Sequence, residues 1–198
     1  MSQVLEAVSP ALQTRRLLAF NRELLDQALG LVAAHEGPGA PIYAGPVGAH
    51  LRHVIEHYEA LLLRAEGAAV AYDHRARDRQ LERCTLLARQ RLAALSQVLA
   101  AADESTLQRA VLVRGLGGTA GEFEFAVSSS VGRELAFVAS HAVHHFALLH
   151  AHCVQHGIRL GQDFGKAPAT VAFERGVSPQ ALPINLKETS CSTHLQTA

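Results

Sequence analysis

The sequence has little charge and few cysteines. Charged residues make up 18% of its 198 positions, below the value of about 25% that is typical of globular domains. The formal net charge is zero, so the chain lacks the basic field that nucleic-acid-binding proteins carry. Its three cysteines are widely spaced and form no CxxC pair, which argues against a disulfide framework and a cysteine-type zinc site. We therefore expect reduced thiols in a cytoplasmic protein that does not bind nucleic acid.

Long apolar segments are also missing. There is no run of about 18 apolar residues, so we expect no membrane span and no membrane partner. The N-terminus lacks a charged region followed by an apolar one and does not resemble a signal peptide. The length predicts a single domain over residues 1–175. Residues 176–198 are polar with little periodicity, which predicts a poorly ordered tail.

Several motifs of catalytic and cofactor sites are absent from the chain. Without His-Glu-x-x-His a zincin protease is not expected, and without Glu-x-x-His a ferritin-like di-iron site is not expected. The sequence also has no P-loop, no Gly-x-Ser-x-Gly and no Gly-x-Gly-x-x-Gly. The chemistry of the chain must therefore come from other residues.

The spacing of the apolar residues predicts four helices. Pro46 suits the first turn of the second helix, Ser128 to Ser130 offer a cap for the fourth, and Gly157 is a typical residue after a helix end. The polar segment 71–79 has no period, which indicates a loop. The predicted helices are 14–34, 46–67, 81–102 and 131–156.

A β-hairpin is predicted over residues 107–127, before the fourth helix. Its first half is rich in β-branched residues, and residues 122–127 alternate polar and apolar side chains, as a half-buried strand does. We interpret Gly115, Gly117 and Gly118 as the hairpin turn. The predicted fold class is therefore mainly α, with one small hairpin.

Histidine is the residue that stands out, with twelve copies, most of them in two clusters. Each cluster falls in a predicted helix, where successive residues rotate by about 100°. The three histidines of the first cluster therefore lie within about 60° of one another, and two of the second lie one turn apart. The first cluster is His50, His53 and His57; the second is His141, His144 and His145, followed by His150, His152 and His156.

Two helices that each present histidines from one face can hold a metal ion between them. A His-x-x-x-His pair, His141 and His145, together with His53, gives three nitrogen ligands and leaves one position open, as in catalytic zinc sites. Without carboxylate or thiolate ligands the ion keeps its full charge, which favours Lewis-acid chemistry or a metal-bound hydroxide. His50 or His57 could replace His53, or could orient the ligands, and His144 lies at the edge of the stripe.

The remaining candidates have simpler interpretations beside the functional ones. Cys153 could add a soft ligand, although a buried thiol is the commoner case. We expect Glu56 and Glu59 to face solvent or to pair with Arg52 and Arg64. Four loop residues could bind an anionic substrate or a thiol, or could simply form a charged surface: Tyr72, Asp73, Arg75 and Arg77. The histidines expected to be ordinary core or surface residues are His35, His74, His150 and His194.

The segments 48–61 and 140–148, with one histidine run on the second predicted helix and His-x-x-x-His on the fourth, resemble the DinB/YfiT family. This family is itself similar to the metal-binding domain of mycothiol-dependent maleylpyruvate isomerase. The resemblance covers residues 14–168 and departs from the family pattern at His50, His57 and the hairpin. It implies an up-down four-helix bundle, a zinc or nickel ion on His53, His141 and His145, frequent homodimers and, in some members, a low-molecular-weight thiol cofactor.

Three functions follow from these observations. The first is a metal-dependent hydrolase, or a thiol-dependent transferase or isomerase, that acts on a small molecule. The second is a non-catalytic metal-binding or stress-response protein, used for sensing or buffering. The third is a helical protein whose histidines are inherited from an active ancestor and now hold no metal. Fold resemblance alone does not choose among them.

Overall fold

A computed structural model describes residues 9–63 and 69–177. This part of the chain is mainly helical, as predicted, with four long helices, two short ones and a small three-stranded sheet. A short 3₁₀ turn, Tyr72–His74, follows the first strand. The elements in chain order are α1 Pro10–Ala33, α2 Pro46–Leu62, β1 Ala69–Ala71, α3 Thr85–Ala101, α4 Glu104–Gln108, β2 Ala110–Gly117, β3 Phe123–Ser130, α5 Val131–Gln155 and α6 Pro168–Glu174.

The helices begin and end at residues suited to those positions. Helix α1 starts four residues earlier than predicted, because the Ser9 hydroxyl accepts a hydrogen bond from the backbone of Leu12. Helix α5 starts after Ser130, whose hydroxyl accepts from the Arg133 backbone, and Gly157 follows its end with a φ of 69°. Helix α2 ends at Leu62, and its predicted continuation falls largely on residues 64–68, outside the described part.

The hairpin is present, and a third strand that was not predicted joins it. Strands β2 and β3 pair antiparallel, with Ala110 opposite Ser130 and Gly117 opposite Phe123. Strand β1 pairs parallel with β2. This strand and the following turn occupy part of the segment that was expected to be a polar loop, and Tyr72 there is buried.

The interpretation of the glycines as the hairpin turn was wrong for two of the three. Gly115 and Gly117 lie within β2, and only Gly118 belongs to the turn. A Cβ on Gly115 would lie 2.6 Å from the ring of Phe125, and one on Gly117 would lie 2.4 Å from the ring of Phe123. The missing side chains therefore make room for two aromatic rings that reach across from β3.

Strand β3 is not half-buried as its alternation suggested, since residues 123–128 are exposed. Burial falls along the neighbouring β2, from Val111 and Val113 in the core to Leu116, which is 49% exposed. The hairpin therefore leaves the core along its length. Near its tip, the rings of Phe123 and Phe125 lie against the glycines of β2.

The hydrophobic core lies among the four long helices. Helix α1 packs against α3 and α5, and α2 packs against the same two helices. The core includes Tyr58 of α2, Leu92 of α3, Phe146 of α5 and the free thiol of Cys153. This packing fixes α2 beside α5, the two helices that carry the histidine clusters.

The chain divides into two compact units, Met1–Ala167 and Pro168–Ala198. The first contains the sheet and the four long helices. The second contains α6, and most of the predicted tail, residues 178–198, lies outside the described residues. Among the helices that are described, none is long and apolar enough to cross a membrane.

Candidate metal centre

Helices α2 and α5 bring His53, His141 and His145 together. The Nε2 atoms of His53 and His141 are 2.9 Å apart, and those of His141 and His145 are 3.2 Å apart. Within the described ranges this is the one group of three histidine, cysteine or acidic side chains that is close enough to hold a metal ion. All three histidines are partly buried.

The spacing of these nitrogens fits a divalent cation. Zinc binds histidine nitrogen at about 2.0–2.1 Å in a tetrahedron, which places neighbouring ligand atoms about 3.4 Å apart. The two observed Nε2 separations lie slightly below that value, so small side-chain rotations would open the cluster to the required size. The residues present therefore fit a three-nitrogen site with one open position.

The surroundings keep these imidazoles neutral, as metal binding requires. Burial, reinforced by the neighbouring histidines and Arg75, lowers the pKa of His53 to about 3. Burial likewise lowers the pKa of His141 and of His145 to about 4. All three imidazole rings are thus neutral at pH 7.

His50 contacts the outer nitrogen of one ligand candidate. Its Nδ1 lies 2.7 Å from Nδ1 of His145, while Nε2 of His145 points into the cluster. A hydrogen bond on the far nitrogen fixes the ring orientation of a metal-binding histidine and its tautomer. This position suits His50 as the residue that orients His145.

His57 has both ring nitrogens engaged elsewhere. Its Nδ1 donates to the carbonyl of His53 at 2.7 Å, so its Nε2 is an acceptor and lies 3.3 Å from the Arg75 guanidinium. The ring stacks on Tyr72, with centroids 5.4 Å apart. These contacts place His57 beside the three clustered histidines, where it links the backbone of His53 to Arg75 and Tyr72. His144 is exposed, and its ring meets that of His145 edge to face.

Arg75 closes one side of the cluster. Its Nη2 lies 3.3 Å from Nδ1 of His53, and its Nη1 donates to the carbonyl of Tyr72. Glu56 approaches its Nε at 3.8 Å. Burial lowers the pKa of this guanidinium, which still remains positively charged at neutral pH.

The expectation that Glu56 and Glu59 face solvent was wrong, since each is only 2% exposed. Glu56 accepts a hydrogen bond from the backbone of Asp78 at 2.7 Å, and Glu59 binds Arg91 of α3 through both oxygens. Arg52 pairs with Glu82 instead, and Arg64 lies outside the described residues. Glu56 therefore anchors the segment that carries Arg75, and Glu59 ties α2 to α3.

Sequence reasoning missed two residues next to the cluster. Glu134 of α5 is buried and accepts hydrogen bonds from Tyr72 at 2.9 Å and from Ser129 at 2.6 Å. Phe137 stacks on His141, with centroids 5.9 Å apart. Phe137 lies one turn before His141 on the same helix, so helical spacing could have predicted this contact. The contacts of Glu134 are with a turn and a strand, and helical spacing could not have predicted them.

The four loop candidates do different things. Arg75 reaches the histidine cluster, as described above, and Tyr72 packs against it. Asp73 accepts a hydrogen bond from the backbone of Leu116 at 2.9 Å, which ties the turn to β2. Arg77 is exposed and has a positive φ of 51°. Only two of the four therefore lie at the cluster.

The other histidines and Cys153 stay outside the three-nitrogen group. His35 is buried and donates to the carbonyl of Leu31 at 2.8 Å, as expected of a core histidine, and His74 is exposed. The rings of His152 and His156 lie side by side at a tilt, with centroids 4.1 Å apart. Cys153 lies in the hydrophobic core, and His194 lies outside the described residues.

Fold and site together define a mainly helical protein with three histidines that could hold a metal ion. Comparison with known proteins adds little. No family model matches the chain, and no solved structure matches it. FK506-binding protein 5 of Rhizopus delemar is 27% identical over 100 residues, which are 50% of this chain. The chain spans about a quarter of that protein's length, 26%, so this similarity does not show a family.

Proposed function

We propose that the protein is a divalent-metal-dependent enzyme of the DinB-like type that acts on a small molecule. The observation that carries this proposal is the convergence of three neutral Nε2 atoms from α2 and α5. The described residues offer no carboxylate or thiolate to this group, so a bound cation would keep its full charge. The resemblance to the DinB/YfiT family adds zinc or nickel as the ion and homodimer as the assembly.

When bound, such a cation supplies Lewis-acid chemistry, which lowers the pKa of a coordinated water or thiol. This suits hydrolysis, or transfer and isomerisation reactions that use a low-molecular-weight thiol. The protein's own contribution is to orient the ligands. His50 fixes the ring of His145, and the backbone of His53 with Arg75 fixes His57. Arg75 adds a positive charge beside the site that suits an anionic substrate.

The experiment is elemental analysis of the purified protein, followed by titration of the metal-free form with zinc and with nickel. We expect one tight ion per chain. Replacing both His141 and His145 by alanine is expected to abolish tight binding and any hydrolase or thiol-transferase activity, whereas His150→Ala is the matched control on the same helix. Activity that survives the double replacement would reject the proposal.

A non-catalytic role in metal sensing or buffering is the second candidate. It is favoured by the adjacent rings of His152, near the end of α5, and His156, the residue that follows the helix. They add imidazoles that a single site does not need. Titration separates the two functions. Several weak ions per chain, reduced in number by His156→Ala, would favour buffering over catalysis.

A further inference from the structure

A cavity of about 400 Å³ lies next to the candidate metal centre. Its walls come from α2, from the segment of β1 and the 3₁₀ turn, and from both strands of the hairpin. Arg75 lines it and also contacts His53 and His57. One guanidinium therefore borders the histidine cluster on one side and the cavity on the other.

Two arginines line the cavity, Arg75 and Arg114. Nε of Arg75 is buried and has no hydrogen-bond partner among the described residues, because Glu56 at 3.8 Å is too distant for a hydrogen bond. Arg114, at the rim on β2, is exposed, and no carboxylate of the described ranges forms an ion pair with it. A buried donor without an acceptor is unfavourable, so an anion in the cavity would stabilise Arg75.

The carboxylates that line the cavity are mostly occupied. Glu56 accepts from the Asp78 backbone, and Asp73 accepts from the Leu116 backbone. Glu124, on β3 at the rim, is exposed and adds a negative charge that opposes an anion. The rest of the lining is His74, Gly115 and four apolar side chains, Ala60, Ala69, Ala71 and Leu116. The apolar part suits a short hydrocarbon chain.

We infer that this cavity binds the carboxylate of a small organic acid with a short apolar chain, through Arg75 and Arg114. We further infer that this binding is coupled to metal binding at the histidine cluster, a part of the inference that rests on the proposed function. The volume lies within the range of small-molecule sites, about 300–1,000 Å³.

The coupling follows from the donors and acceptors of His53. A guanidinium can only donate, so Nδ1 of His53 accepts in its contact with Arg75. A neutral imidazole that gives its Nε2 lone pair to a cation carries its proton on Nδ1. When the metal binds, Nδ1 of His53 therefore stops accepting the hydrogen bond from Nη2 of Arg75. A carboxylate in the cavity gives Nη2 a new acceptor. The carboxylate also balances the positive charge of Arg75, which otherwise opposes the cation.

The test uses the full chain and two probes of the same shape, hexanoate and neutral hexanamide, titrated by calorimetry with and without zinc. We expect hexanoate to bind and hexanamide not to bind measurably. Zinc is expected to tighten hexanoate binding about fivefold, and hexanoate must tighten zinc binding by the same factor, because linkage is reciprocal.

Two neighbouring variants should act in opposite directions. Arg114→Gln is expected to weaken hexanoate binding about three- to tenfold, and Glu124→Gln to strengthen it about twofold, as expected for charge contacts near a surface. Both should leave zinc affinity unchanged when hexanoate is absent. Arg15→Gln, an exposed arginine on α1, is the control.

The outcomes separate this inference from the proposed function. Equal binding of the two probes would overturn the carboxylate site. So would hexanoate binding that Arg114→Gln does not weaken, because the acid would then be coordinating zinc directly. Tight zinc binding that hexanoate does not change would overturn the coupling while leaving the proposed function intact. Charge-dependent hexanoate binding in a protein that takes up no zinc would support the carboxylate site and reject the metal centre.

Discussion

At the scale of single residues, the contact of His50 with His145 leads to a prediction about metal affinity. Removing the hydrogen-bond partner of a metal-binding histidine usually lowers affinity about 10- to 100-fold. We expect His50→Ala to do so, because Nδ1 of His145 would lose the partner now 2.7 Å away. Competition titration with a zinc chelator would measure the change.

His144→Ala is the matched control, since this exposed residue meets the ring of His145 edge to face, whereas Nδ1 of His145 lies against His50. Its zinc affinity should equal that of the unchanged chain. Equal losses in the two variants would mean that His50 has no orienting role.

The cross-strand contact between Gly115 and Phe125 leads to a prediction about stability. Gly115→Ala would place a Cβ 2.6 Å from the outer end of the ring. Because Phe125 is 39% exposed and its ring can turn away, we expect a loss of about 1 kcal/mol in the free energy of unfolding, the lower end of the cost of overpacking. Gly30→Ala is the control. It lies in α1 with no atom within 4 Å of the new Cβ and should stabilise by about 0.5–1 kcal/mol.

Urea denaturation of both variants would measure these changes. The double variant Gly115→Ala with Phe125→Ala should recover part of the loss, because the two residues are in contact and their effects are not additive. No recovery would show that the ring is not the cause.

Individual residues show how much of the candidate site could be predicted from the sequence. The histidines of both clusters could be placed on helix faces because their spacing is local, and the structure brings the expected three together. The partners of Glu56 and Glu59 could not be predicted from the sequence, because Arg91 lies on another helix and Asp78 in a loop. Helical spacing tells which residues share a face but not what that face meets.

At the scale of elements, the contact between α2 and α3 depends on the pair of Glu59 and Arg91. Arg91→Ala would remove the two hydrogen bonds that the guanidinium donates to the buried carboxylate of Glu59. We expect it to cost about 2 kcal/mol in the free energy of unfolding, as for hydrogen bonds to a charged group. Thermal and urea denaturation would measure the loss.

Arg89→Ala, also on α3, provides the comparison. Its partner Glu36 and Arg89 itself are largely solvent-accessible, at 32% and 42%, so its removal should change stability little. Similar losses from both replacements would show that burial of Glu59 does not determine the effect.

The helices and strands also differ in how well the sequence predicts them. The long helices follow from apolar periodicity and from capping residues such as Ser130, all of which are local signals. Strand β1 has three residues, and its partner strand follows only after α3 and α4, so no local pattern marks it. The exposure of β3 depends on where the hairpin stands relative to the helices, which alternation cannot reveal.

At the scale of the whole molecule, the lowered histidine pKa values predict how stability depends on pH. The metal-free unfolded chain protonates its histidines near pH 6.5, whereas the folded chain does so near pH 4 for His57, His141 and His145 and near pH 3 for His53. Between these values the unfolded state binds more protons, so stability falls as the pH decreases. The contribution is fully present above pH 6.5 and is lost towards pH 3–4.

Chemical denaturation of the chain in a chelating buffer, at steps from pH 7.5 to pH 4, would measure this slope. His141→Gln should flatten it relative to the unchanged chain, while His74→Gln, at an exposed position, should not. Identical slopes for all three proteins would contradict the assignment of the effect to the clustered histidines.

The meeting of α2 and α5 has one more consequence, which concerns chain connectivity. His53 and His141 are 88 positions apart, and α3, α4 and the hairpin all lie between them. A cation shared by these residues would act as a reversible cross-link that closes a long loop, and such clips restrict the unfolded chain strongly. Metal supply would then set the resistance of this whole intervening region to proteolysis, far from the ion itself.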